Sequence, residues 1–191
     1  MNKNRLEAFS DGVIAIIITV MVLEMKIPLG DQISALRPVF PTLIAYLLSF
    51  VMVGIYWNNH HHLLHAVRHV NGEILWANLH LLFWLSLLPF VTAWSGQNRF
   101  STVPVALYGF VLLMAGVAYY LLSQALIHLH GRESTLAVAV GRDRKSVLSV
   151  LILAIAIPLA FLNNWIAFSF YVLVALIWLI PDRRIEKAVK T

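Results

Sequence analysis

Six apolar segments divide the chain, and each is close to the roughly 20 residues that a helix needs to cross a bilayer. The segments cover residues 9–25, 39–57, 74–94, 103–127, 146–162 and 165–180. Charged residues make up only 12% of the sequence, which is about half their share in a soluble domain. The pattern therefore predicts an all-α integral membrane protein with six transmembrane helices, forming one domain over residues 1–191.

The Lys and Arg residues predict the sidedness of the loops, because cytoplasmic loops carry an excess of these residues. Eleven of the 14 lie near the chain ends or after the second and fourth spans. The other three are Lys26, Arg37 and Arg99. Both termini are therefore predicted to be cytoplasmic. This topology also accounts for the net charge of +5 without a nucleic-acid partner.

Only two of the nine carboxylates, Asp11 and Glu24, fall within a predicted span, and both lie on the first helix. A carboxylate at the centre of a membrane helix costs roughly 2.5–3.5 kcal/mol, so a partner is expected for Asp11. The predicted sidedness brings Asp11 to the depth of the second span's end and the third span's start. We hypothesise that His60, His61 or His62, or else Asn78, holds the carboxylate. Alternatively, Ser10 and Asp11 cap a helix that begins at Gly12.

A stripe of residues at helical spacing follows Asp11 on the first helix: Gly12, Ile16, Thr19 and Leu23. One interpretation is a seam between packed helices, with Thr19 bonded back to its own helix. The other is a narrow conduit in which apolar constrictions gate ions by dewetting around one layer of hydroxyls. A single helix encloses no conduit, so the second interpretation requires a closed ring of copies.

Histidines and prolines mark the other spans. Pro89 and Pro158 are predicted to kink the third and fifth helices, because each removes a backbone donor.

Imidazole is a common metal ligand, but no carboxylate lies among the clustered histidines, and the chain has no cysteine. The sequence therefore predicts neither a metal site nor a cofactor, and leaves a haem or metal protein as an alternative. The six histidines concerned are His60, His61, His62, His65, His69 and His80.

The start of the first span resembles the signature of the transmembrane protein 175 family of potassium channels. The resemblance rests on the spacing Arg5-x-x-x-Phe9-Ser10-Asp11 ahead of six spans with short loops. The second span also ends in an aromatic–histidine segment, Tyr56-Trp57 followed by His60-His61. A single six-helix unit is similar to the bacterial and archaeal members, which implies the cell (inner) membrane of a prokaryote as the location.

The resemblance implies a passive, potassium-favouring channel rather than an enzyme. Its expected partners are potassium ions, the lipid bilayer and three further copies, which form a homotetramer with the first helix lining the pore. Ile16, Val20 and Leu23 then correspond to the family's apolar constrictions, and Thr19 to its selectivity layer. The motif Arg5, Phe9, Ser10 and Asp11 holds helices together in the family, with His60, His61 and Asn78 as the expected partners here.

Two other classes of membrane protein remain as alternatives. A proton- or ion-coupled transporter predicts an internal repeat and an acid near the bilayer midplane, and neither is evident in the sequence. A histidine-based haem or metal protein predicts a bound chromophore or metal. A carbonyl-loop potassium filter is not expected, because the sequence has no TVGYG and Tyr108-Gly109 falls within the fourth span.

Overall fold

The computed structural model describes residues 3–131, residue 137 and residues 144–179. Its described part is built from helices, which confirms the all-α class. The helices are α1 (Lys3–Leu23), α2 (Phe40–His65), α3 (Gly72–Ser86), α4 (Leu88–Gln97), α5 (Thr102–His130), α6 (Arg144–Leu159) and α7 (Asn164–Leu179). A short 3-10 helix, Ile33–Leu36, lies between α1 and α2.

Four helical stretches have the length and apolarity needed to cross a membrane: α1, α2, the continuous pair α3–α4, and α5. The last two helices are apolar but only 16 residues long as assigned. The prediction of several membrane helices is therefore confirmed, whereas the count of six stays a prediction. Six of the eleven basic residues predicted to be cytoplasmic lie outside the described residues: Arg132, Arg142, Arg183, Arg184, Lys187 and Lys190.

The helical hydrogen bonding of the predicted third span is interrupted at one residue, beside Pro89. α3 ends at Ser86, Leu87 forms the junction, and α4 begins at Leu88 with Pro89 in its first turn. Leu87 keeps a right-handed helical backbone (φ −84°, ψ −13°), so the stretch continues through an interruption of the kind expected where proline removes a backbone donor. Pro158 lies inside α6, one residue before its end.

α5 is the central helix, and it packs against α3, α4, α6 and α7. α1 lies to one side of this core and packs against α2, α3 and α4.

Two glycines allow neighbouring helices to approach each other closely. A Cβ on Gly109 would overlap the Tyr171 hydroxyl, and a Cβ on Gly96 would overlap the backbone of Thr42. These contacts fix α7 against α5 and α4 against α2, leaving α1 with one face free of the core.

Gly96→Ala is expected to lower the free energy of unfolding by about 1–3 kcal/mol, the usual cost of overpacking a rigid contact. The added methyl group meets backbone at Thr42, which cannot rotate away. Thermal unfolding in detergent measures the change. Gly116→Ala is the matched control, because its nearest atoms, at Tyr56 and Val150, are 3.7 Å from the new Cβ. Equal losses in the two variants would contradict the close approach of α2 and α4.

Candidate pore-lining helix and its anchor

α1 has two contrasting faces. One face is buried against the core and consists of Leu6, Ser10, Ile14, Ile17 and Met21. The stripe identified in the sequence lies on the opposite side. Ile16 is 61% exposed and Leu23 is 81% exposed, and both Gly12 and Thr19 are exposed. An apolar stripe open on the surface of a single chain requires a lipid or protein neighbour, since a hydrophobic patch of this kind marks an interaction surface.

The Thr19 hydroxyl donates to the Ile16 carbonyl at 2.9 Å, so its proton is engaged within α1. The hydroxyl oxygen keeps its lone pairs on the exposed side of the helix, where it can accept a hydrogen bond or contact a cation. Val20 is half-buried at the edge of the stripe. Thr19 is therefore bonded back to its own helix, as the interpretation of a packing seam expected, and is also exposed, as a conduit requires.

A buried hydrogen-bonded network ties α1 to α2 and α3. Ser10 Oγ donates to the Leu6 carbonyl at 2.8 Å and accepts from Asn78 Nδ2 at 2.9 Å. His60 Nε2 lies 2.7 Å from Asn78 Oδ1. An amide oxygen only accepts, so the imidazole Nε2 donates. Ser10, His60 and Asn78 are each 0% exposed. The network fixes the rotation of α1, and with it the direction in which the stripe faces.

Asp11 has a different partner from those proposed for it. Trp57 Nε1 on α2 donates to Asp11 Oδ1 at 3.0 Å, whereas the predicted partners His60 and Asn78 bond to each other beside Ser10. The indole is long enough to reach the carboxylate from about one helical turn before His60. The hypothesis identified the right segment of α2 and the wrong side chain within it.

A second set of contacts joins the first turn of α1 to the end of α2. His61 Nδ1 lies 3.1 Å from Glu7 Oε1, so His61 contacts α1 through Glu7 and not through Asp11. Lys3 Nζ donates to the carbonyls of Leu64 at 3.3 Å and His65 at 3.4 Å. A cation at a helix C-terminus meets the free carbonyls and the negative end of the helix dipole.

The four residues of the motif thus divide between the two faces of α1. Ser10 is fully buried and Asp11 is half-buried beside Trp57, while Arg5 and Phe9 are exposed on the side of the stripe. Sequence reasoning missed Lys3, Glu7 and Trp57 as anchoring residues. Their signal was weak, because the spacing of α1 alone does not indicate which residues of α2 it meets. Within the described ranges, no three His, Cys, Asp or Glu side chains are placed to hold a metal ion.

Trp57→Phe is expected to destabilise the packing of α1 on α2 by about 1 kcal/mol, because water can replace an exposed hydrogen bond and its net value is modest. The six-membered ring is kept, whereas the pyrrole ring that carries the donor to Asp11 is lost. The melting temperature of the purified protein in detergent measures the effect. Trp76→Phe is the control, since Trp76 is 76% exposed on α3. A loss no larger than that of the control would show that the indole N–H does not hold Asp11.

Comparison with known proteins identifies the family to which this fold belongs. The sequence profile of TMEM175, described as an endosomal/lysosomal potassium channel, matches residues 5–89. A potassium channel of Chryseobacterium sp. (strain P1-3) is 54% identical over 190 residues, which are 100% of this chain and 99% of that protein. The Danio rerio endosomal/lysosomal proton channel TMEM175 is 30% identical over 135 residues, covering 68% of this chain and 25% of that protein.

A solved structure agrees with the same assignment. The crystal structure of a lysosomal potassium-selective channel TMEM175 homolog from Chamaesiphon minutus superposes with a TM-score of 0.83 and 25% sequence identity. The superposition covers 94% of this chain and 97% of that one. Fold and site together define an all-helical, multi-pass membrane protein. The chain belongs to the TMEM175 family, whose members are ion channels rather than enzymes.

Proposed function

We propose that this chain forms a passive, potassium-favouring cation channel, in which four copies surround one pore and each contributes α1 to its lining. The relative from Chryseobacterium is named a potassium channel and is similar along its whole length. In this proposal each chain crosses the bilayer six times with both termini in the cytoplasm. The membrane is the inner membrane of a prokaryote, as the bacterial relatives favour.

The observation that carries the proposal is the exposed stripe on α1. The buried network at Ser10 holds one face of α1 against α2 and α3, so the apolar stripe is turned outward. A closed ring of copies covers such a stripe and encloses a conduit at the same time. A lipid-facing stripe would need no hydroxyl, whereas a conduit gains from an oxygen layer at Thr19.

Each residue of the stripe has a distinct role in the proposed pore. Ile16 and Leu23 form apolar rings that pass ions only when they are wetted, with Val20 at the edge between them. Thr19 forms a ring of four hydroxyl oxygens that replaces part of the ion's hydration shell. Glu24, exposed just beyond the stripe, lies at the outer mouth.

Two of the motif residues, Ser10 and Asp11, serve assembly in this proposal and do not contact the ion. Ser10 and Asp11 face α2 and α3, away from the stripe. Their hydrogen bonds set the rotation of α1 and therefore turn Ile16, Thr19 and Leu23 toward the proposed pore. The exposed motif residues Arg5 and Phe9 lie at the cytoplasmic end of the same side.

Proton conduction is a second candidate function, because vertebrate relatives are named proton channels. An ion-coupled transporter is less well supported. Apart from α1, the only carboxylate on a described helix is Glu73, in the first turn of α3. No described helix other than α1 therefore offers a midplane acid for coupling ion movement to a conformational cycle.

The decisive experiment is a flux assay on purified protein in liposomes loaded with potassium. A pH-sensitive dye reports proton uptake that balances potassium efflux once a protonophore is added. We expect dye quenching in a potassium gradient and a much smaller response in a matched sodium gradient. Quenching before the protonophore would identify proton permeation by the protein itself. No response from intact tetramers under any of these gradients would overturn the channel proposal.

Thr19→Val is expected to lower the potassium-to-sodium permeability ratio by about two- to fivefold. The substitution keeps the shape and removes the hydroxyl, and a difference of about 0.5–1 kcal/mol between the two ions corresponds to that change. Reversal potentials under biionic conditions measure the ratio. Thr19→Ser, which retains a hydroxyl, is the control and should behave as the unmodified protein does. An unchanged ratio in Thr19→Val would remove Thr19 from the selectivity layer.

A further inference from the structure

The loop between α1 and α2, residues 24–39, exposes more apolar surface than a loop in water ordinarily does. We call it the outer loop. Ile27 is 89% exposed, Leu29 is 96% exposed and Ile33 is 87% exposed. Glu24, Met25 and Lys26 separate this surface from Leu23, the last residue of the α1 stripe. Exposed apolar side chains therefore lie both at the end of the proposed pore helix and on the outer loop, and apolar surface of this kind marks an interaction site.

A crevice of about 390 Å³ lies beneath the outer loop. Its walls are mainly apolar, and Lys26, Thr42 and Gln97 supply its polar groups. Ala35 of the 3-10 helix also lines it, whereas Ile33 and Leu36 of that helix do not. The same short helix thus forms one wall of the crevice and presents two apolar side chains away from it.

The outer loop also carries four charged residues in equal numbers of each sign: Glu24, Lys26, Asp31 and Arg37. All four are exposed. Within the part of the chain that the structure describes, none of them has an ion-pair partner within 4.0 Å. In a ring of identical copies each interface is heterologous, so acids of one copy can meet cations of the next. Such complementarity fixes register and partner choice.

From the exposed apolar side chains, the crevice and the balanced charges we infer that the outer loop docks on the next copy of this chain. Ile33 and Leu36 of one copy enter the crevice of its neighbour, and the four loops form a collar around the outer end of the pore. The inference rests on the proposed tetramer and deepens it by naming a second contact between subunits, separate from α1. Insertion of the loop into the outer leaflet is the outcome that the test must separate from this one.

The absence of cysteine from the chain makes the collar directly testable. Two differently tagged single-cysteine versions, Ile33→Cys and Gln97→Cys, are co-expressed, and the purified protein is treated with a short bismaleimide; Gln97 lines the crevice and is exposed. We expect the mixed crosslinked dimer in several-fold excess over the dimer formed by Leu151→Cys. Leu151 is 54% exposed on α6 and serves as the control. A nitroxide on Ile33→Cys is expected to be shielded from both oxygen and a water-soluble nickel complex.

Two further measurements separate failure of the collar from failure of the tetramer. Light scattering and crosslinking of Ile16→Cys report the tetramer independently of the outer loop. An intact tetramer with no excess of the mixed dimer overturns the collar. In that case, high accessibility of the nitroxide on Ile33→Cys to oxygen places the loop in lipid. High accessibility to the nickel complex places it in water. Monomers that are not linked through Ile16→Cys overturn both the collar and the proposed channel.

Discussion

Replacing Ile16 with asparagine is expected to raise potassium flux about tenfold, because a barrier lowered by about 1.4 kcal/mol raises a rate by that factor. In the proposed pore, four Ile16 side chains form an apolar ring that excludes water, and an amide in each position allows water and a hydrated ion to enter. Ile16 is 61% exposed in the single chain. The change therefore alters the conduit without disturbing the packed face of α1. Single-channel recording and liposome flux both measure the result.

The control for this experiment carries the same polar group on a different surface. Leu151→Asn lies on the exposed side of α6 and is expected to leave the flux unchanged. Ile16→Leu keeps the ring apolar and should conduct as the unmodified protein does. Unchanged or lost current in Ile16→Asn, from tetramers of normal yield, would contradict a gating role for Ile16. The stripe would then have to be reassigned to helix packing.

The helices could be predicted from the sequence because length and apolarity alone specify a membrane span. The 3.6-residue period also grouped Gly12, Ile16, Thr19 and Leu23 on one face of α1 correctly. The period did not indicate whether that face is buried, because α1 is apolar nearly all round and offers little contrast between its sides. Burial of Ile14 and Ile17, and exposure of Ile16, depend on polar contacts that α1 makes with other helices.

The partner of Asp11 shows the limit of reasoning from sidedness. The predicted depth in the membrane brought α1, the end of α2 and the start of α3 together. In the structure α1 packs against both helices, and the His60–Asn78 hydrogen bond joins α2 to α3. The choice of side chain depends on the rotation of α2 about its own axis, which no sequence pattern specified. Trp57 was therefore missed, and His60 and Asn78 were assigned to the carboxylate instead of to each other.

The interruption between α3 and α4 could be located from the sequence, because Pro89 removes a backbone donor wherever it lies in a helix. Leu87 keeps a helical backbone, and Leu85 and Leu88 are both 0% exposed, so core contacts hold the helix on each side of the interruption. Tertiary contacts of this kind lie beyond what the segment itself contains.

Asn78→Leu is expected to lower the free energy of unfolding by about 2–4 kcal/mol and to reduce the yield of the tetramer. Asn78 accepts from His60 at 2.7 Å and donates to Ser10 at 2.9 Å. Leucine has a similar volume and neither group. A buried polar group that loses its partner costs about 1–3 kcal/mol. Ser10 keeps its bond to the Leu6 carbonyl, so the larger share of the loss falls on His60. Denaturant titration in detergent measures the stability.

The network predicts that these losses are not additive, and this separates it from simple packing. His60→Phe removes the same bond from the other side, so the double variant with Asn78→Leu should lose at least about 0.5 kcal/mol less than the sum of the single variants. Asn59→Leu is the control, because among the described residues the Asn59 amide bonds only to the Ile55 carbonyl of its own helix. Additive losses, or a control that loses as much, would contradict the network. If Asn78→Leu still forms a tetramer, its potassium flux should be low. The bonds of Asn78 set the rotation of α1, so without them the stripe no longer faces the proposed pore.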